Sequence, residues 1–184
     1  MARLPYLKKS DLQLSEQHYY DEISEKRGFF PRPFSVLLNN PKAAVNVANL
    51  GSYVRFESSL PDQLREIVIL TVAREMNNAY EFTHHASIAK NFGVSSDIIE
   101  SIKNKITETL PEKEQLLIEF TKEVITSSKI PDILYNRINE LIGTQGIVDL
   151  TVTITYYCLL ARIMDVFEVT LEPNQDSLLW YIRK

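Results

Sequence analysis

Between Arg65 and Gly93 the chain sets carboxylates and imidazoles where a helical core calls for apolar side chains. Phased at about 3.6 residues per turn, Glu66 falls in line with Ile69, Leu70 and Ala73. After a short polar break at Asn77-Asn78, a second amphipathic stretch puts Glu81, His85, Ile88 and Phe92 in one stripe, with His84 at its edge. Thr83, Ser87, Lys90 and Asn91 take the opposite, wet face. Burying an ionisable group is expensive unless it is paired or put to use. Any fold this chain adopts must therefore bring Glu66, Glu81 and His85 together or provide each with another partner.

The rest of the sequence reads as helix. Only 5 glycines occur in 184 residues, and apolar and polar residues seldom alternate. The expectation is an all-α, single-domain protein of about seven or eight helices, with short connections. A short helix capped by Ser15 runs to about Gly28, and Pro31 and Pro33 then force an extended turn. Helices follow at Ala43–Val54, from Ser59-Leu60-Pro61 to about Asn77, at Ala79–Phe92 and at Asp97–Lys105. Others open at Pro111 and Pro131, and the longest runs from Thr144 to about Thr170. The domain reading is an arm and short helix over 1–34, a helical domain over 35–172, and a surface-bound or disordered tail over 173–184.

In the longest helix, apolar residues such as Ile147, Val148, Leu150, Val152, Leu159 and Val166 are spread around the whole circumference. A helix apolar on every side is buried on every side. One small domain has few such places, so a homo-oligomer is expected.

Net charge is −4 with no long basic run, which speaks against nucleic acid or an anionic membrane as partner. The N-terminus is too polar for a secretory signal, and the uncharged run 150–161 is too short to span a bilayer. The single cysteine, Cys158, fits a reducing compartment, so a cytoplasmic location is expected. No metal is expected, because one Glu81-xx-His84 spacing plus Glu66 falls short of the doubled motif that di-metal bundles use.

A carboxylate beside a histidine can hold and move a proton near neutral pH. The same residues also suit a purely structural role. Glu81 and His85 can form an i,i+4 hydrogen bond, and Glu66 can pair with a nearby arginine.

Arg65-Glu66, Tyr80-Glu81-Phe82 and His85-xxx-Ala89-xxx-Gly93 together resemble the carboxymuconolactone decarboxylase family, which includes the alkyl hydroperoxidase D-like (AhpD-like) proteins. The stretches 110–124 and 143–169 resemble downstream helices of the branch that lacks the cysteine pair. The resemblance implies an AhpD-like helical fold and assembly as a trimer or a hexamer. Aligned on the histidine motif, the family's histidine falls at His85, its glutamate at Glu66, and its two cysteine positions at Asn78 and Glu81. The dithiol peroxidase route needs an attacking thiolate and a resolving thiol, and neither Asn78 nor Glu81 supplies one. The decarboxylase branch implies cofactor-free proton-transfer or decarboxylation chemistry on a small unsaturated lactone or carboxylate. His85 would then act as acid/base, with Glu81 and Glu66 tuning it. Candidates to contact a small-molecule substrate are His84, Tyr80, Tyr156 and Arg74, the last as a carboxylate clamp. An antioxidant activity by a route other than the dithiol, and a non-catalytic oligomeric ligand-binding or scaffold protein, are the alternatives.

Overall fold

The structure is a computed structural model, and it describes residues 2–25 and 27–179. Among these residues there are eight α-helices and no strand. They are α1 (Gln17–Glu25), α2 (Arg32–Leu37), α3 (Pro41–Phe56), α4 (Asp62–Glu75), α5 (Ala79–Asn91), α6 (Ser96–Asn104), α7 (Glu112–Thr126) and α8 (Asp132–Phe167). The chain divides into two compact units. One holds the described residues of Met1–Glu57 together with Arg162–Gln175, and the other holds those of Ser58–Ala161 together with Asp176–Lys184.

In the first unit α1 and α2 pack on α3 around Leu12, Ile23, Phe34, Leu38, Ala44 and Ala48. The guanidinium of Arg27 lies over the Phe34 ring at 4.7 Å and donates to the Ala48 carbonyl at 2.8 Å. The prolines act differently from expectation. Pro31 is extended (φ −68°, ψ 145°), but α2 begins at the next residue, with Pro33 in its first turn. A first-turn proline lacks only an N–H that has no helical partner anyway, so this pair starts a helix.

The second unit is organised around α4, which packs on α5, α6 and α7. Every residue from Leu64 to Ala73 is buried, including Arg65 and Glu66. The joint between α4 and α5 is short and closed by backbone and capping hydrogen bonds. Asn77 takes the left-handed conformation (φ 53°). Its N–H reaches the Arg74 carbonyl at 3.2 Å, and the Asn78 N–H reaches that of Ala73 at 2.7 Å, which closes α4 as a Schellman motif does. Asn78 Oδ1 in turn accepts the Glu81 N–H at 2.9 Å and caps α5. At the other end of α5, Gly93 has φ 85°, and a Cβ there would lie 2.8 Å from Gln63 Nε2. Position 93 thus favours glycine for its left-handed conformation, while the end of the flexible Gln63 side chain could swing aside.

The last long element is one helix broken at Gly143 (φ 74°, ψ 174°), close to the expected boundary between two helices. Its buried Asp149 accepts from the Ser59 amide at 2.7 Å and the Ser59 hydroxyl at 2.6 Å. By length and hydropathy α8 passes for a membrane span, but 56% of its most apolar stretch is buried inside the fold. With a buried, hydrogen-bonded carboxylate in that stretch, it is a core helix. Burial is not complete, since Val148, Leu159 and Val166 remain exposed.

The tail also departs from expectation. Leu178 N–H donates to Thr83 Oγ1 at 3.0 Å, and Leu179 is buried in the core cluster that contains Ile67, Phe82 and Ala86. Thr83, assigned to the wet face of α5, is therefore buried, and Phe92, assigned to the buried stripe, is exposed. The expected tail continues through Trp180–Lys184, which lie outside the described residues.

Candidate functional site

The tight α4–α5 joint brings the anomalous residues together. Glu66 lies nine residues before the end of α4, and His85 lies six residues into α5. With about 1.5 Å of rise per residue, the two side chains meet across the helix pair. His85 Nδ1 is 2.7 Å from Glu66 Oε2. The other ring nitrogen, Nε2, faces two oxygens, Glu81 Oε2 at 3.4 Å and the Tyr157 hydroxyl at 3.3 Å. Glu66, Glu81, His85 and Tyr157 are each no more than 5% exposed.

Arg65 completes the charge balance. Its side chain is buried, its Nη2 pairs with Asp62 Oδ1 at 2.5 Å, and its Nε is 3.8 Å from Glu66 Oε1. That Nε is buried without a hydrogen-bond partner among the described residues, and the guanidinium lies 5.8 Å from the Phe92 ring centre. Two carboxylates, one guanidinium and one imidazole are thus taken out of water together. An imidazolium would balance the formal charge of these four.

Burial alone would drive the His85 proton off, because a charged ring is poorly solvated in a protein interior. The Glu66 charge and hydrogen bond, followed by those of Glu81, act the other way and prevail. The His85 pKa is raised from 6.5 to about 9. At neutral pH the ring is therefore an imidazolium, and both of its nitrogens donate. The Nδ1–H is committed to Glu66 in a short, charge-assisted bond. The Nε2–H is shared between two more distant acceptors, which makes it the more transferable proton.

The other sequence-derived candidates fall around this cluster at different removes. His84 is half-buried, with its ring centre 5.5 Å from that of His85 and 6.3 Å from that of Tyr80. Tyr80 is buried. Tyr156 is buried one ring away from the imidazole, with its ring edge-on to Tyr157 at 5.3 Å. Arg74 Nε donates to the Lys103 carbonyl at 2.6 Å, so this nitrogen secures the end of α6. Asn78, aligned with a cysteine position, serves as the α5 cap. Cys158 is half-buried on α8, one residue after Tyr157.

Sequence reasoning missed Tyr157 and Arg65. Tyr157 is 72 residues from His85 and next to a second buried tyrosine, so no local pattern marks it. Arg65 had one available signal, its place beside Glu66 on a helix with hardly a polar face. An apolar groove of about 490 Å³ between α7 and α8, lined among others by Phe120, Val124, Tyr135 and Val148, includes none of Glu66, Glu81, His85 and Tyr157.

Residues 41–106, which contain Glu66, Glu81 and His85, match the model of the carboxymuconolactone decarboxylase family. The match spans about a third of the chain, so it is a likeness to that family over this segment. Solved structures share its fold. An uncharacterized peroxidase-related protein with an alkylhydroperoxidase AhpD core from Ralstonia eutropha JMP134 superposes with a TM-score of 0.77 at 15% identity, covering 94% of this chain and 93% of that one. A peroxidase-related protein from Silicibacter sp. TM1040 gives 0.75 at 16% identity, covering 94% and 91%. A variant of the debrominase Bmp8 in complex with 2,3,4-tribromopyrrole gives 0.73 at 15% identity, covering 92% and 91%. No curated protein matches the sequence. These structures establish an AhpD-like fold for this chain.

Proposed function

We propose that this protein is a cofactor-free enzyme that delivers a proton to a small unsaturated lactone or carboxylate as that substrate loses carbon dioxide. One observation carries the reading: the buried imidazole of His85 is held at Nδ1 by Glu66 and faced at Nε2 by Glu81, carboxylates that raise its pKa to about 9. In such a decarboxylation the carbon–carboxylate bond breaks, and its electron pair spreads into the conjugated carbonyl system. The resulting carbanion then takes a proton on carbon. A charged ring with one spare N–H offers both the proton and a compensating positive charge during the step. Glu66 fixes the ring's orientation, and Glu81 biases the Nε2 proton. After transfer the ring is neutral, and solvent restores the proton.

The family match over residues 41–106 supports the reading, and so does a debrominase of the same fold in complex with 2,3,4-tribromopyrrole. The peroxidase alternative draws on the peroxidase-related neighbours. It must, however, work with one cysteine, and neither Asn78 nor Glu81 carries a sulfur. A cytoplasmic homo-oligomer is the setting we infer, from the lone cysteine and the uncovered apolar positions on α8.

The test is carbon dioxide release from carboxymuconolactone by wild type and His85→Gln, run beside peroxide reduction with a dithiol. Release by the wild type that falls at least about a hundredfold in His85→Gln supports the assignment. Equal release by both proteins would remove His85 from it. Dithiol-dependent peroxide turnover without any lactone turnover would replace it with the alternative.

A further inference from the structure

Arg65 carries a donor that the fold takes out of water and leaves unused. The residue is 4% exposed, and its Nε is buried with no hydrogen-bond partner among the described residues. Buried donors of this kind are rare, because their lost hydration is not repaid. The rest of the guanidinium is tied down. Nη2 pairs with Asp62 Oδ1 at 2.5 Å, one turn back on α4, and the group lies 5.8 Å from the Phe92 ring centre. Nε faces Glu66 Oε1 at 3.8 Å. An N–H···O bond spans roughly 2.7–3.2 Å, so this donor falls short of its acceptor by about 1 Å or less.

What keeps Glu66 from closing that gap is its other oxygen. Oε2 holds the His85 Nδ1–H at 2.7 Å, a bond strengthened by the charge on the ring. Both oxygens belong to one carboxylate, so the imidazolium and the guanidinium compete for it. The other ionisable groups in contact with the ring are Glu81 and His84 from α5 and Tyr157 from α8. Among the described residues, no ion pair or hydrogen bond of Glu66 or His85 reaches α6 or α7, which also pack on α4. Arg65 is thus the one guanidinium or ammonium group beside these carboxylates among the described residues. Once the ring is neutral, the Nδ1 bond loses its charge assistance, and Arg65 is left to balance Glu66.

We propose that Arg65 is a positioning residue for proton transfer, its Nε–H taking up Glu66 Oε1 as His85 gives its proton away. A small turn of the carboxylate brings Oε1 onto Nε while Oε2 stays on the Nδ1–H. The exchange has two effects. It gives the buried donor a partner in the state where Glu66 most needs a counter-charge. It also favours release of the proton, because the neutral ring leaves Glu66 paired. This rests on the proton-delivery reading above, and it assigns Arg65 no contact with the substrate.

The experiment follows the Arg65 Nε–H by NMR, on protein labelled with nitrogen-15 in arginine and histidine, as pH is raised through the His85 midpoint near 9. The signal is assigned by its loss in Arg65→Lys. It should move downfield with the same midpoint as the His85 ring. In Arg65→Gln the ring should hold its proton more tightly, its midpoint rising by about one pH unit or more. Arg65→Lys, which keeps the charge, should bring the midpoint back toward that of wild type. In the carboxymuconolactone assay Arg65→Gln should lose kcat with little change in KM, and the alkaline limb of its kcat profile should move up with the ring. An Nε–H signal that stays fixed while His85 titrates would overturn the proposal, and so would an unshifted His85 midpoint in a folded Arg65→Gln protein. If neither variant folds, wild type decides: a solvent-protected arginine Nε–H that follows the ring supports the proposal, and none that does so overturns it. If wild type fails to turn over lactone but the Nε–H follows His85, the decarboxylation reading falls and Arg65 stands as the second partner of Glu66.

Discussion

Replacing Glu66 by glutamine tests the electrostatics of the site with the least change of shape. The wild-type imidazole has a carboxylate at 2.7 Å on one nitrogen and another at 3.4 Å on the other. Glutamine keeps an oxygen near Nδ1 but removes the nearer charge. Burial, which pushes the proton off, then opposes Glu81 alone, and the His85 pKa should drop from about 9 to the ordinary 6.5 or below. A folded-state pKa above the unfolded value means that the native protein binds the proton more tightly. The stabilisation is therefore complete below pH 6.5 and is lost as pH rises through about 9. The gap between the two values corresponds to about 3 kcal/mol at the low-pH end. Urea unfolding across this range should show wild type losing stability on the alkaline side by an amount of that order. Glu66→Gln should be less stable at pH 6 and nearly flat from there upward. If both proteins show the same alkaline loss, the Glu66–His85 ion pair is not its source and the electrostatic account is refuted.

Other consequences follow from the packing. Asp149→Asn takes away the carboxylate that receives both Ser59 donors and should lower stability by about 1 to 3 kcal/mol, read from the urea midpoint. Leu179→Ala should lower stability by about 2 kcal/mol, since the residue belongs to the α5 core, whereas a loosely attached tail would give no change. On α8, a Val148→Asp/Leu159→Asp double variant should shift an oligomer to monomer in light scattering, and a wild type already monomeric at micromolar concentration would contradict the association.

The central triad was legible because helical phase is local. Glu66 shares a stripe with Ile69, Leu70 and Ala73, and His85 lies one turn after Glu81, so spacing alone points the three inward. The same arithmetic could not choose between Tyr156 and Tyr157. Adjacent positions on a helix differ by about 100°, and both side chains are buried. Which of them meets the imidazole depends on the rotation of α8, a tertiary quantity. Arg65 was obscured by its type, since arginine is usually exposed. On α4 nearly every direction is core, and Arg65 pairs with Asp62 and Glu66 instead of reaching water. The Pro31–Pro33 segment was misread because proline breaks a helix interior yet suits its first turn. Near the end of the chain, Leu178 and Leu179 open the apolar run 178–182, which is too short to show a helical or strand period, although Leu179 is a core residue.

The account depends most on the charge of His85, and NMR titration of its ring nitrogens measures that directly. At pH 7 both nitrogens should carry a proton, with a midpoint near 9. A single neutral tautomer at pH 7 would make His85 a base or a structural hydrogen-bond partner, and would contradict its role as a charged proton donor.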